Sequence, residues 1–371
     1  MAGPAGGGAE CAGGPQPRPA GGLALMGSAA ICPPAPPAGV DARLSLLKLL
    51  AALAVVLVHT TMVRVSQVDV HSAGWWLANV GDAAGRIGSA MFAMVGGAVL
   101  LARPSEQAPW RFIGQRMARL LPAVAFWSVF YFAWRQWMWG GIDWSVIRRD
   151  LVLGSPWYHL WFMYMMLGLY LVAPALRLVV KGVGEGPAWR YVLVVAAGMT
   201  WFASAAQTLQ GLSHASFIGL VPFFVVYFLA GYYLLRRPVH LPSRWLWLGG
   251  GLCIAAMALG VAWSYPHLRE GAFVLFYSNR SPFAMGLTFC VFLLVARLQP
   301  RALPAWVNRL GAATLGVYAI HPFWIDMLGR WGWSLQRAGD GWIVLTLLVF
   351  ALSMVTSLGL SAVPGLRRLV N

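Results

Sequence analysis

A lysine and a histidine interrupt the first long apolar segment of the sequence, which reads RLSLLKLLAALAVVLVHTT from Arg43. His59 follows Lys48 by eleven residues, so on an α-helix they lie on one face, about 16 Å apart along the axis. Inside a membrane such residues usually face the bundle interior, where histidine can act as a general base. The spacing also fits a structural role, in which Lys48 extends to the membrane surface and His59 hydrogen-bonds another helix.

Two further histidines lie at a similar depth in other apolar segments. His159 stands at the start of one segment, in SPWYHLWFMY, and His321 stands near the end of another, in LGVYAIHPFW. Imidazoles from three helices can meet in one pocket on the external side, where they can transfer protons. The alternative is that His159 and His321 are polar caps at the membrane interface, beside Trp and Tyr rings.

Two motifs contain arginine. Arg116 and Arg119 in WRFIGQRMARLLP are spaced to project from one side of a helix, and guanidinium groups bind phosphate well. At the cytoplasmic end of a helix, the same residues also set topology or bind anionic lipid. Asn279 and Arg280 in FYSNRSPF, on the predicted external side, contact either a substrate or the outer headgroups.

The amino-acid composition indicates that these residues lie in a protein embedded in a lipid bilayer. Of the 371 residues, 59% are hydrophobic and 10% are charged, whereas an average soluble domain is about 25% charged. The 20 Trp and 11 Tyr suit two membrane interfaces. The net charge of +16 lies in short clusters between apolar segments, which excludes a nucleic-acid-binding domain. The four cysteines have no metal-type spacing, so we expect neither a metal site nor a structural disulfide.

The pattern along the chain predicts an all-α bundle of about ten transmembrane helices. Residues 1–40 are rich in Gly, Pro and Ala and are predicted to be a disordered tail, and residues 41–371 form the membrane domain. Asp41 is the predicted N-cap of the first helix. The predicted spans are 44–62, 84–102, 119–139, 158–179, 190–207, 217–235, 245–264, 281–298, 306–325 and 342–363.

Topology follows from the loops between these spans. With both termini cytoplasmic, each cytoplasmic loop contains three or four basic residues, as the positive-inside rule requires. Most acidic residues then lie on the external side, with Asp69 and Asp82 in the first external loop, where either can orient a histidine.

With these motifs in order, the sequence resembles the acyltransferase-3 family of multi-pass membrane O-acyltransferases from about residue 43 to 363. The similar stretches are the Lys48 to His59 pair, the Arg116-x-x-Arg119 motif, HLWFMYMMLGLYLVAP and LGVYAIHPF. VLFYSNRSPF is similar to a segment of the branch that includes enterobacterial common antigen and exopolysaccharide acetyltransferases. The chain departs from the family at Gly96-Gly97, where Ser-Gly is frequent, and at Lys48, where Arg is more common.

The resemblance implies a set of roles. His59 is the expected catalytic base, and Lys48, Arg116 and Arg119 are expected to bind the phosphates of acyl-CoA, most simply acetyl-CoA, with no tightly bound cofactor. The acceptor is expected to be a sugar hydroxyl of a lipid-linked or nascent envelope polysaccharide or exopolysaccharide. The candidates for contacts with the acceptor or the oxyanion are His159, Trp161, Asn279, Arg280, Tyr318 and His321.

The expected location is the bacterial inner membrane, with polysaccharide-assembly proteins as candidate partners. Two other classes of protein share the apolar pattern with its buried polar residues. One is a secondary transporter or flippase of a lipid-linked saccharide, which leaves its substrate covalently unchanged. The other is a non-catalytic subunit of a polysaccharide-assembly complex.

Overall fold

A computed structural model of the chain shows an all-α protein, as predicted. It describes residues 41–67, 72–102, 108–184, 186–209, 217–237, 239–268, 270–300, 303–333 and 341–370. Within these ranges all regular structure is helical and there is no strand. The tail predicted over residues 1–40 lies outside the described residues.

Fifteen helices are described. They are α1 (Ala42–Gln67), α2 (Ala73–Gly85), α3 (Gly88–Leu100), α4 (Pro109–Trp139), α5 (Trp144–Leu153), α6 (Trp161–Val183), α7 (Ala188–Leu209), α8 (Phe217–Arg236), α9 (Ser243–Leu268), α10 (Glu270–Phe276), α11 (Pro282–Ala296), α12 (Ala305–Ala312), α13 (Thr314–Arg330), α14 (Trp342–Ala362) and α15 (Arg367–Val370).

In the described part of the chain, seven helical segments are long and apolar enough to cross a membrane, which supports an integral membrane protein. They are Ala42–Met62, Ala73–Leu100, Pro109–Trp139, Trp161–Val183, Phe217–Arg236, Ser243–Tyr265 and Trp342–Ala362. Of the three other predicted spans, two fall on α7 and α11, whose apolar parts are shorter, and the third, 306–325, falls across α12 and α13. Ten crossings and cytoplasmic termini therefore stay predictions.

Local chemistry explains where the first helices begin. Asp41 accepts a hydrogen bond from the Arg43 backbone N–H at 3.0 Å, which agrees with the predicted N-cap. The second span begins at Ala73, eleven residues before the predicted start, because the Ser72 hydroxyl caps α2 through the Trp75 N–H at 3.1 Å. Asp82 therefore lies inside this span, so its placement in an external loop is wrong.

Glycines allow α3 and α8 to cross at close range. A Cβ atom on Gly97 would lie 1.8 Å from the Phe228 carbonyl oxygen, and one on Gly231 would lie 1.9 Å from the Met94 carbonyl oxygen. Small residues at such crossings allow helix backbones to touch in membrane proteins. The second glycine of the Gly96-Gly97 pair is thus required by backbone packing. α1 lies at the centre and packs against α2, α3, α12, α13 and α14.

Candidate active site

Three histidines from distant parts of the sequence meet in what we call the histidine pocket. The ring of His321 on α13 stacks on that of His59 on α1, with ring centroids 5.2 Å apart and planes at 24°. The same ring meets His159 edge-on at 5.1 Å. His159 and His321 are 1% and 0% exposed, whereas His59 is half-buried. His59 is therefore the histidine that a substrate can reach.

Pro322 fixes the protonation pattern of the neutral His321 ring. Proline has no backbone N–H, so the Tyr318 carbonyl, four residues earlier, lacks its helical partner. The Nδ1 atom of His321 lies 2.8 Å from that carbonyl oxygen. Since a carbonyl only accepts, Nδ1 bears the hydrogen and Nε2 bears the lone pair. Nε2 is buried and has no hydrogen-bond partner among the described residues.

The backbone carbonyl of Ala319, the next residue of α13, accepts hydrogen bonds from two side chains of the histidine pocket. The Ala319 oxygen accepts hydrogen bonds from the Tyr131 hydroxyl at 2.7 Å and from His159 Nε2 at 3.2 Å. The Tyr318 hydroxyl in turn donates to the backbone carbonyl of His159. These bonds tie α4 and the segment before α6 to α13. Two of the three imidazoles are thus fixed, while no hydrogen bond within the described residues holds the His59 ring.

Aromatic rings form the outer wall of the histidine pocket. Tyr158 is 46% exposed and its ring centroid lies 4.9 Å from that of His59. Trp157 stacks between Tyr131 at 5.5 Å and Trp139 at 5.6 Å. Sequence reasoning missed these residues. The run Trp157-Tyr158-His159 was a signal for the first two, but Tyr131 lies on another helix and gave none.

The predicted acceptor residues divide into two groups. Tyr318 lines the pocket, with its ring 5.4 Å from that of His159. Trp161 packs against Phe224 at 5.8 Å, and no ring contact within the described residues joins it to the three histidines.

Asn279 and Arg280 belong to a neighbouring layer around α8. The Asn279 carbonyl accepts a hydrogen bond from the Tyr227 hydroxyl, and the Tyr227 ring leads to Phe224 at 5.6 Å. Arg280 is buried, lies over the ring of Phe223 at 5.0 Å and donates from Nε to Ser278 Oγ at 3.2 Å. Phe224 contacts Phe162 and Phe162 contacts Tyr318, so a chain of aromatic rings connects Asn279 to the histidine pocket.

A second buried polar cluster joins α2 to α9 and to the end of α10. Asp82 forms an ion pair with Arg86, and the guanidinium carbon of Arg86 lies 4.5 Å from the centre of the Tyr277 ring. The Tyr277 hydroxyl bonds to Asn79, whose Nδ2 donates to the Ala258 carbonyl at 2.9 Å. Of these residues only Asp82 was considered from the sequence. The structure gives Asp82 an arginine partner, so the proposed role of orienting a histidine is not supported by a direct contact.

The predicted phosphate-binding residues meet at what we call the cationic end. Arg116 and Arg119 lie near the start of α4, within electrostatic range of the Tyr170 hydroxyl on α6. Arg119 is also within electrostatic range of the half-buried Lys48 on α1. The ring of Phe112 lies 5.4 Å from the guanidinium carbon of Arg116 and 4.1 Å from that of Arg177. Arg177, which the sequence did not single out, is a fourth cation here.

A family model described as an acyltransferase domain matches residues 41–364. No curated protein and no solved structure matches the chain. The family match includes the histidine pocket, the cationic end and all the helices between them. Because it covers most of the chain, the protein belongs to the acyltransferase-3 family and is a membrane-bound acyltransferase.

Proposed function

We propose that the protein transfers an acetyl group from acetyl-CoA to a sugar hydroxyl of a cell-envelope polysaccharide or exopolysaccharide, in the inner membrane of a bacterium. The observation that supports this most is the histidine pocket, in which one half-buried imidazole stacks on a fully buried one. This arrangement presents a single accessible base at one end of a central helix, with cations at the other end.

The cationic end suits the phosphates of the donor. Lys48, Arg116 and Arg119 provide three positive charges near one another, and arginine forks bind phosphate oxygens in pairs. CoA is cytosolic, and this is the predicted cytoplasmic side. From Lys48 to His59 the axis of α1 rises about 16 Å, which an extended pantetheine arm can span. The thioester carbon then lies beside His59.

At His59 we propose general base catalysis. The imidazole takes the proton of the sugar hydroxyl as the hydroxyl oxygen attacks the thioester carbon. A carbon–oxygen bond forms, the carbon–sulfur bond breaks, and the CoA thiolate leaves and receives the proton from the imidazolium. The stacked ring of His321, held by the Tyr318 carbonyl, orients the base. Tyr318 and His159 line this site, and their hydrogens are donated to the His159 and Ala319 carbonyls, so we propose that they shape the acceptor pocket and hold its wall in place.

The test is the O-acetyl content of the surface polysaccharide, measured by proton NMR. A deletion strain is complemented at matched expression with wild type, His59→Ala, Arg116→Ala plus Arg119→Ala, or His240→Ala. His240 is an exposed histidine outside the pocket, which makes its substitution a matched control. We expect the first two variants to lose the acetyl signal while polymer yield and His240→Ala stay at the wild-type level.

Two results would overturn the proposal. Wild-type acetylation in the His59→Ala strain would remove the base from the mechanism. Loss of the polymer itself, with normal acetylation of what remains, would point to transport of a lipid-linked saccharide. The buried Asp82–Arg86 pair is the feature that favours that second function, since ion pairs inside membranes often mark transport pathways.

A further inference from the structure

A groove of about 780 Å³ lies between α4, α5 and α6, on the side of α4 away from the histidine pocket, and we call it the lateral groove. Its wall on α4 runs from Leu121 to Gln136, about 22 Å along the axis. Nearly all the lining is apolar, and two small residues, Ala125 and Ala133, leave its floor open. A long flexible hydrocarbon chain matches this shape and chemistry.

Three polar side chains in the lateral groove, Ser128, Tyr164 and Gln136, each form a hydrogen bond within the protein. Ser128 Oγ lies 2.9 Å from the Tyr164 hydroxyl and donates to the Val124 carbonyl at 2.6 Å. Gln136 accepts from the Ile142 N–H at 3.0 Å. The groove therefore offers mainly apolar contact along its length, and its only charged neighbours among the described residues lie at its rim.

The rim is basic. A second hollow shares Trp144, Ile147 and Leu151 with the lateral groove and extends to Arg148. Asp150 is bound by two arginines, Arg135 and Arg149, each at 2.9 Å. Arg148 is exposed, and no carboxylate of the described residues lies within ion-pair distance of it. With Asp143 at the start of α5 included, three arginines and two carboxylates give the rim one net positive charge, which an anion would meet.

The rim and the histidine pocket are joined through the chain. Gly154 caps the C-terminus of α5, and its φ of 70° is the left-handed conformation that favours glycine. Tyr158 and His159 follow within five residues. Tyr131, whose hydroxyl holds the Ala319 carbonyl, lies on α4 between the groove residues Val129 and Ala133. An anchor in the groove would thus place its headgroup at the same end of the bundle as His59.

We propose that the lateral groove binds the polyisoprenyl chain of a lipid-linked acceptor, with the carrier phosphate at Arg148. This rests on the proposed function and names where its acceptor is held. The apolar wall and the basic rim together select a long hydrocarbon with an anionic head. The phosphates of the CoA donor are assigned to the other end of α4, so the two substrates approach from opposite ends.

Binding of a 55-carbon polyisoprenyl phosphate to the purified full-length protein tests this, measured by native mass spectrometry against phosphatidylglycerol. The variants are Ala125→Trp plus Ala133→Trp, which fill the groove, and Arg148→Gln. Ala351→Trp on the exposed side of α14 is the matched control. We expect wild type to prefer the polyisoprenyl phosphate at least tenfold and the groove-filling pair to lose that preference. Arg148→Gln should weaken binding severalfold, more at low salt than at high salt.

Equal binding of phosphatidylglycerol by wild type would identify an ordinary membrane-lipid site and overturn the proposal, as would unchanged binding in the filled groove. If the double variant does not fold, Ala133→Trp alone applies the same test. His59→Ala should bind the carrier as wild type does. Normal binding with no acyl transfer by wild type would therefore contradict the proposed function and leave this site in place.

Discussion

At the scale of single residues, Pro322 is the least expected part of the pocket. It removes one backbone donor and so frees the Tyr318 carbonyl to hold His321. The sequence showed the His-Pro pair, but the role of Pro322 depends on the backbone carbonyl that it leaves unpaired. His321 is a positioning residue in this account, because it acts through its stack on His59.

Replacing Pro322 by alanine tests that role. The backbone N–H that the substitution introduces would compete with His321 Nδ1 for the Tyr318 carbonyl, so the ring would lose its fixed orientation. We expect kcat to fall about tenfold, the cost of a net hydrogen bond of about 1 kcal/mol or slightly more, with the KM for acyl-CoA unchanged. Pro174→Ala in α6 is the control for removing a proline from a helix. A wild-type kcat in Pro322→Ala would show that the orientation of His321 is irrelevant.

The sequence identified the histidines and the two motif arginines because their types are rare inside apolar segments. It missed Tyr131, Asn79 and Arg177, whose importance depends on which helices pack together. Tyr131 acts on a carbonyl 188 residues away in the chain. Contacts between residues so far apart in the sequence are determined by tertiary packing, which no local sequence pattern shows.

At the scale of the helices, the crossing of α3 and α8 sets the frame of the bundle. Gly97→Ala would bring a methyl group to 1.8 Å from the Phe228 carbonyl oxygen, so the two backbones must separate. We expect the free energy of unfolding to fall by about 1–3 kcal/mol. This loss would be measured as a lower thermal unfolding temperature and a lower yield of protein in detergent. Gly251→Ala on α9, where a Cβ meets open space, should be neutral or slightly stabilising. Equal stability of both variants would contradict close backbone packing.

At the N-terminus of α5, the cap formed by Asp143 is expected to depend on pH. The Ser145 hydroxyl and the Val146 N–H bond to the Asp143 carboxylate and lower its pKa. A carboxylate with a lowered pKa stabilises the fold above its unfolded pKa, and the effect is lost as pH falls through the folded pKa. We therefore expect Asp143→Ala to speed amide exchange in α5, relative to wild type, at about pH 7 but not at a pH below the folded pKa of Asp143. A difference that persists at the lower pH would rule out the charged cap.

Helix boundaries were less predictable than helix positions. Each of the ten predicted spans overlaps one or two of the described helices, but the predicted starts at 84 and 119 lie eleven and ten residues after the starts of the segments that contain them. The residues missed include polar and small ones in AGWWLANVGDAAG and WRFIGQRMAR, which lower the hydropathy of a segment without breaking its helix. Buried partners such as Arg86 for Asp82 make those polar residues compatible with the bundle.

At the scale of the whole molecule, the composition correctly predicted a helical membrane protein, because the excess apolar surface cannot be buried in one soluble core. The two ends of the bundle differ in chemistry. One end has arginine and lysine side chains suited to bind phosphate, and the other has the three imidazoles. If this separation reflects a donor that spans the bundle, the two ends should affect different kinetic constants.

Arg116→Ala plus Arg119→Ala tests the cationic end by steady-state kinetics. We expect the KM for acyl-CoA to rise about 10- to 100-fold, with a smaller change in kcat at saturating donor, because charged hydrogen bonds contribute about 1.5–3 kcal/mol. The effect should shrink at high salt. Arg190→Ala plus Arg244→Ala, two exposed arginines elsewhere, is the control. A similar rise in the KM for acyl-CoA in both double variants would indicate a general effect of net charge and would contradict a specific phosphate site.

The most direct test of the central claim is the turnover of purified His59→Ala, measured as acceptor-dependent release of CoA beside wild type and His240→Ala. We predict that kcat falls about 10²- to 10⁴-fold, as expected for loss of a general base, while the KM for acyl-CoA stays within about twofold. His240→Ala should match wild type. Turnover of His59→Ala within a few-fold of wild type would contradict the assignment of His59 as the catalytic base.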